Sequence, residues 1–118
     1  MKGKLLLLML LIASCASYAQ NTTTSSYIVK GILVDSLTLE GEPYATIKIV
    51  EKKAPDKAVK MAVTDMQGNF KEKMNAQPGM YVITITSIGK STVTKDFEVK
   101  SGEKEVDLGT LYTSEATN

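Results

Sequence analysis

Alternation with a period of two is the feature that most narrows the fold. In ATIKI, Ala45 to Ile49, and YVITIT, Tyr81 to Thr86, side chains alternate between core-type and surface-type residues. Successive side chains of an extended strand point to opposite faces, so such runs have one face to bury and one to expose. Ala45, Ile47 and Ile49 share one side and Thr46 and Lys48 the other; Tyr81, Ile83 and Ile85 oppose Val82, Thr84 and Thr86. Beyond the first twenty residues no segment has the helical period. Instead, runs rich in Val, Ile, Thr and Tyr recur at near-regular spacing, divided by turn residues in GEP, QPG and KSGEK.

This spacing predicts seven strands, at Tyr27–Asp35, Tyr44–Lys52, Ala58–Asp65, Asn69–Met74, Met80–Ile88, Thr92–Lys100 and Glu105–Thr113. Pro43 stands at a strand entry, where a missing N–H does least harm, and Gly109 marks a bulge. Lys71, Glu72 and Lys73 make the fourth strand short and polar, as an edge strand protected against sheet-to-sheet association would be. Val93, Phe97 and Val99 are expected to face inward from the sixth. Seven one-sided strands bury their apolar faces in two facing sheets. The expected fold is all-β, a seven-stranded Greek-key-type β-sandwich.

The N-terminus is a different kind of segment. MKGKLLLLMLLIASCASYAQ places Lys2 and Lys4 before an apolar run, Leu5 to Ala13, and then small residues. That is the layout of a secretory signal peptide, and the run is shorter than the roughly 20 residues that span a bilayer. Ser17-Tyr18-Ala19 before Gln20 suits cleavage for ordinary export, whereas IASC, Ile12 to Cys15, resembles a lipobox that would make Cys15 a lipidated first residue. The expected organisation is a signal peptide over 1–19, a flexible polar leader over 20–26, the sandwich over 27–113 and a tail over 114–118. Either cleavage exports the protein.

Composition then removes chemistry. Cys15 is the only cysteine, so no disulfide staples the domain and its core must suffice. From Gln20 onward, twelve lysines stand against thirteen acids, a net charge of −1. Nothing in that balance points to nucleic acid. The mature part has no His, Cys, Trp or Arg. Serine–histidine and cysteine–histidine nucleophile systems, and zinc sites built on His or Cys, are therefore out of reach.

Carboxylates and tyrosines remain as candidates. Asp65 in VTDMQGNF invites a calcium loop, but positions 67 and 69 are Gln and Asn and no bidentate acid follows. Asp65 and Gly68 instead read as a type I turn closed by a left-handed glycine, the tight end of a hairpin. Asp35, Glu40 and Glu42 lie across one loop, DSLTLEGEP, as a possible carboxylate set or a solvated acidic loop. Tyr27, Tyr44, Lys52 and Lys53 are candidate ligand contacts, the lysines in a charged stretch, Lys52 to Lys57, expected to form a surface loop.

Three ordered stretches, GILVDSLTLEGEPYATIKI, AVTDMQGNF and PGMYVITITSIG, resemble the carboxypeptidase D regulatory-like domain, a transthyretin-like β-sandwich. Gly31, Leu33, Asp35, Gly41, Glu42, Pro43, Ala45, Ile47, Thr64, Asp65, Gly68, Phe70, Tyr81, Ile83, Ile85, Ser87 and Gly89 fall on its pattern. Lys90 departs from it, standing where the family usually has Tyr, and is expected to loosen that corner. The resemblance implies no catalytic residue and no cofactor. It implies a module found at the N-terminus of larger exported proteins, including the TonB-dependent receptors and related outer-membrane barrels of Bacteroidetes-type bacteria. The urate-breakdown hydrolase of the same fold uses histidines and arginine, which this chain lacks.

The expected function is thus a non-catalytic envelope module, in the periplasm or at the outer membrane, that contacts protein. Membrane association would come only through lipidation or fusion to a barrel. A glycan- or peptide-binding surface is the alternative, and an enzyme using Asp35, Glu40 and Glu42 a third class.

Overall fold

The computed structural model describes residues 24–115. The signal peptide, Cys15, the first part of the leader and residues 116–118 of the tail lie outside the described residues. Seven strands follow in order: β1 (Ser25–Asp35), β2 (Thr46–Glu51), β3 (Ala54–Val63), β4 (Asn69–Ala76), β5 (Gly79–Thr86), β6 (Val93–Val99) and β7 (Glu105–Thr113). They form a three-stranded sheet in the order β4-β1-β7 and a four-stranded sheet in the order β3-β2-β5-β6. All contacts between neighbours are antiparallel except β1 with β7. Every connection other than the β2–β3 and β5–β6 hairpins crosses between the sheets. Among the described residues no helix is long and apolar enough to cross a membrane.

The alternating faces meet in one core. Tyr27, Val29 and Leu33 of β1 and Phe70 and Met74 of β4 pack toward Ile47, Ile49, Ile83, Ile85, Phe97 and Val99 of the facing sheet. The Tyr81 and Phe97 rings stack with centroids 5.8 Å apart. Burying an aliphatic side chain contributes about 1.5–3 kcal/mol, so the core carries the stability that no disulfide supplies. Gly109 sits at the expected bulge: Lys30 pairs with Asp107 and Ile32 with Thr110, so Gly31 faces both Leu108 and Gly109. β4 is an edge, as its charges suggest.

Three expectations need correction. Ser25 and Ser26 belong to β1, pairing with Ala76 and Asn75, so the leader yields two residues to the sheet. Lys52–Lys57 is not a loop: Lys52 and Lys53 make a tight turn and β3 starts at Ala54. An edge strand tolerates Pro55 and charge, and the register shifts opposite Val50 and Glu51 absorb the extra residues as bulges. Lys90 does not loosen its corner; it pairs with Asp35.

Candidate functional site

The ends of β1, β3, β5 and β7 and the starts of β2, β4 and β6 share one end of the sandwich. Three loops and the β7 exit meet there. In the β1–β2 loop the Asp35 carboxylate accepts the Leu37 N–H at 2.8 Å, and its other oxygen receives the Lys90 ammonium from the β5–β6 turn. Both side chains are largely buried, at 14% and 18% exposed. The Lys90 hydrogen bond, aided by the Leu37 N–H, holds the Asp35 carboxyl below the usual carboxylate range. The same bond raises Lys90 above the usual lysine value, against the opposing effect of burial.

Glu42 is also committed to structure. Its carboxylate accepts from the Thr113 hydroxyl at 3.1 Å, and its peptide carbonyl accepts from the Thr64 hydroxyl at 2.8 Å. The Thr64 oxygen in turn accepts the Ala45 N–H at 2.9 Å. These bonds satisfy both buried threonines. Glu40 stands apart, exposed, and enters the network through its carbonyl, which accepts the Asp35 N–H at 2.8 Å. The three acids of DSLTLEGEP therefore form no convergent pair: two serve as loop anchors and one faces solvent.

Asp65 opens a tight turn, but not the hairpin end expected from the sequence: it carries the chain from β3 in the four-stranded sheet to β4 in the three-stranded one, and the two strands do not pair. Its Oδ1 accepts the N–H groups of Gln67 and Asn69, both at 2.9 Å, and its carbonyl accepts the Gly68 N–H at 3.1 Å. Gly68 has φ +81°, and a Cβ there would lie 2.2 Å from the Leu33 carbonyl oxygen. Only glycine meets both demands. Among the described residues no three His, Cys, Asp or Glu side chains gather as a metal site.

The candidate ligand contacts separate. Tyr27 is a correction: it is 1% exposed, because β1 turns it into the core. Burial, with Glu103 adding to it, pushes its phenol pKa up, and the hydroxyl has no hydrogen-bond partner among the described residues. Lys52 and Lys53 lie at the opposite end, on a cleft of about 360 Å³ lined also by Glu51, Gln77, Met80 and Tyr81. Lys52 is held by Asp96 at 2.6 Å. A wider groove of about 530 Å³ crosses the outer face of the three-stranded sheet beside Lys30, Asn69 and Asp107.

Tyr44 stays at the loop end, in company the sequence reading missed. Leu37, Leu39, Tyr44, Met66 and Ile88, on the three loops, range from 63% to 102% exposed. The available signal was apolar residues inside stretches otherwise made of turn residues. Leu39 and Tyr44, with φ of 60° and 53°, are the non-glycine residues with left-handed backbones among the described residues.

No protein-family model and no curated protein matches the chain. Solved structures do. A 5-hydroxyisourate hydrolase from Klebsiella pneumoniae matches with TM-score 0.55 at 15% identity, over 77% of this chain and 99% of that one. BcpA, the major pilin subunit of Bacillus cereus, matches with TM-score 0.60 at 17% identity, over 78% of this chain and 31% of the pilin. A group B streptococcus pilus 2b backbone protein matches with TM-score 0.57 at 10% identity, over 77% of this chain and 42% of that protein. At these identities the likeness concerns fold: a transthyretin-like, pilin-type β-sandwich.

Proposed function

We propose that the protein is a non-catalytic, exported β-sandwich module of the bacterial envelope that works by protein contact. Its place is as an accessory or N-terminal domain of a TonB-dependent receptor or similar outer-membrane barrel, the setting that the carboxypeptidase regulatory-like resemblance implies. The signal-peptide pattern supports export. The commitment of Asp35 and Glu42 to loop anchoring supports a role without catalysis.

One observation carries the contact reading: the edge of β3. The β4 and β6 edges set charges along their length, Lys71 and Lys73 on β4 and Lys95, Asp96 and Glu98 on β6, while β7 carries Glu105 and Asp107 at its start. From Ala58 to Val63, β3 has one charge, Lys60, which turns toward Glu72 at 3.9 Å. Met61 and Val63 are more than half exposed. The Thr64 N–H bonds to Ala45, so by alternation Met61 and Val63 aim their main-chain groups away from β2, at the open edge. An extended segment of a partner can add there as a further strand.

Met61→Pro tests this, since it removes an outward N–H and leaves the β2 ladder whole. It should abolish co-purification of the partner from envelopes while the melting temperature holds; retained partner would exclude strand addition. The intact mass of the protein from the same envelopes tests the setting. A species starting at Gln20, an acylated Cys15 or a longer receptor chain each fits export, whereas a cytoplasmic species retaining Met1 would overturn it. A glycan- or peptide-binding role is the second reading, favoured by the cleft at Lys52 and Lys53.

A further inference from the structure

We propose that the loop end of the sandwich is a docking surface for a second protein, one presenting an apolar patch rimmed by lysine or arginine. The inference rests on the reading that the module works by protein contact, but it uses a surface separate from the β3 edge.

Its first support is where the exposed apolar side chains lie. Single exposed hydrophobic residues are ordinary on any surface. Here Leu37, Leu39, Tyr44, Met66 and Ile88 all come from the three loops of one end. At the opposite end, among the described residues, the large exposed apolar side chain is Met80. Connecting loops are usually polar, so three adjacent loops tipped with Leu, Tyr, Met and Ile require a reason beyond folding.

Backbone strain supplies the second, independent support. Leu39 and Tyr44 hold left-handed backbones, where a Cβ crowds its own carbonyl and glycine or asparagine would sit more easily. Neither side chain is buried, so the core gains little from their being Leu and Tyr. Strain retained at an exposed apolar residue points to use of that side chain by a partner.

The loops are also built to stand together before anything binds. Gly41 lies so near the β3–β4 turn that a Cβ would come 1.8 Å from the Gln67 carbonyl oxygen. Lys90 and Asp35 tie the β5–β6 turn to the β1–β2 loop, and the Ser91 N–H bonds to the Ser114 carbonyl at 2.8 Å. Little ordering would remain to be done on docking, which favours affinity.

Charge identifies the occupant. Across these loops and the β7 exit, Asp35, Glu40, Glu42, Asp65 and Glu115 stand against the one ammonium of Lys90, a net charge of −4. That field repels anionic lipid and a second copy of the same end, and it steers a basic protein surface toward the apolar tips.

A photo-reactive benzophenone amino acid, placed at 88, at 61 on the β3 edge, or at 98 on β6, tests the proposal in the cells that make the protein. Position 88 should cross-link to one dominant second protein and position 98 should not. With that partner purified, the combined variant Leu37→Ser, Leu39→Ser, Ile88→Ser should bind about tenfold or more weakly at unchanged melting temperature. Raising salt from about 50 to about 500 mM, or introducing Glu40→Lys with Glu115→Lys, should weaken binding at least about tenfold as well. The proposal is overturned by a cross-link to a second copy, by affinity indifferent to salt, or by binding of phosphatidylcholine vesicles that the triple serine variant abolishes. A product at 61 alone sinks loop-end docking and leaves the contact reading standing; no product at either position sinks both.

Discussion

The ammonium of Lys90 meets the carboxylate of Asp35 across 55 residues of sequence, joining the turn after β5 to the end of β1. The pair links the two sheets at the end where the apolar loop tips stand. Its pH dependence follows from the opposed shifts of its members. Asp35 is depressed, so its contribution is present above the ordinary carboxylate value of about 3.9 and is lost as pH falls through its lower native value. Lys90 is raised, so its contribution is present below about 10.4 and is lost as pH rises through its higher native value. Lys90→Met should therefore be less stable than the parent at neutral pH. The difference should shrink at strongly acid and strongly alkaline pH, as read from urea midpoints across the range. A difference constant with pH would mean that Lys90 acts through packing of its stem alone.

Gly68 separates two ways in which a glycine can be required. Gly68→Ala forces a Cβ into both a left-handed backbone and the space of the Leu33 carbonyl. The expected loss is about 2–4 kcal/mol in chemical unfolding. Gly102 has a similar φ of +88°, but nothing lies within 4 Å of an added Cβ. Gly102→Ala should cost only about 1 kcal/mol. Equal losses at the two sites would show that backbone conformation, and not the close approach of β1, sets the requirement at Gly68.

The contrast between these positions marks what could be read from sequence. Local patterns were legible: the alternation in Ala45–Ile49 and Tyr81–Thr86 gives the buried faces, and Gly109 gives its bulge. Features that depend on the other sheet were not. Lys90 looks like a loosened corner until β1 brings Asp35 to it. Tyr27, at the start of a strand beside polar residues, looks like a surface aromatic until β4 and the facing sheet cover it. The stretch after Lys52 reads as a loop because Pro55 and four charges between Lys52 and Lys57 mask an edge strand, whose outer side has no ladder to maintain. Of the loop-end tips only Tyr44 is legible as a surface residue, since the exposure of Leu37, Leu39, Met66 and Ile88 is set by how three loops from two sheets meet.

Asp65 should prove a turn residue in solution. Asp65→Ala removes the acceptor of two N–H groups and should cost about 1–2 kcal/mol. Asp65→Asn keeps an oxygen in place and should cost less. Millimolar calcium should leave the melting temperature of the parent unchanged; a rise of several degrees would restore the metal reading of this loop.

Leu39 offers a gain. Its backbone at φ 60° suits asparagine better than leucine, and its side chain is exposed. Leu39→Asn should raise stability, by up to about 1 kcal/mol. A fall in stability would mean that Leu39 serves the fold, which would remove the strain argument for loop-end docking.

Two tyrosines of the same core should respond in opposite ways to loss of the hydroxyl. The Tyr81 hydroxyl donates to the Gln77 carbonyl at 2.8 Å and accepts the Gln77 N–H at 3.2 Å, closing the β4–β5 turn. Tyr81→Phe strands both main-chain groups of Gln77 at a partly buried site and should cost about 1–2 kcal/mol. The Tyr27 hydroxyl is buried with no partner among the described residues, so the folded state already bears its desolvation. Tyr27→Phe removes that unmet group and keeps the ring, so stability should hold or rise, by no more than about 1–2 kcal/mol. Thermal melts of the two variants beside the parent decide the matter. A clear loss in Tyr27→Phe would mean that a buried water satisfies the phenol in solution, placing a polar cavity beneath β1 where the packing now reads as apolar.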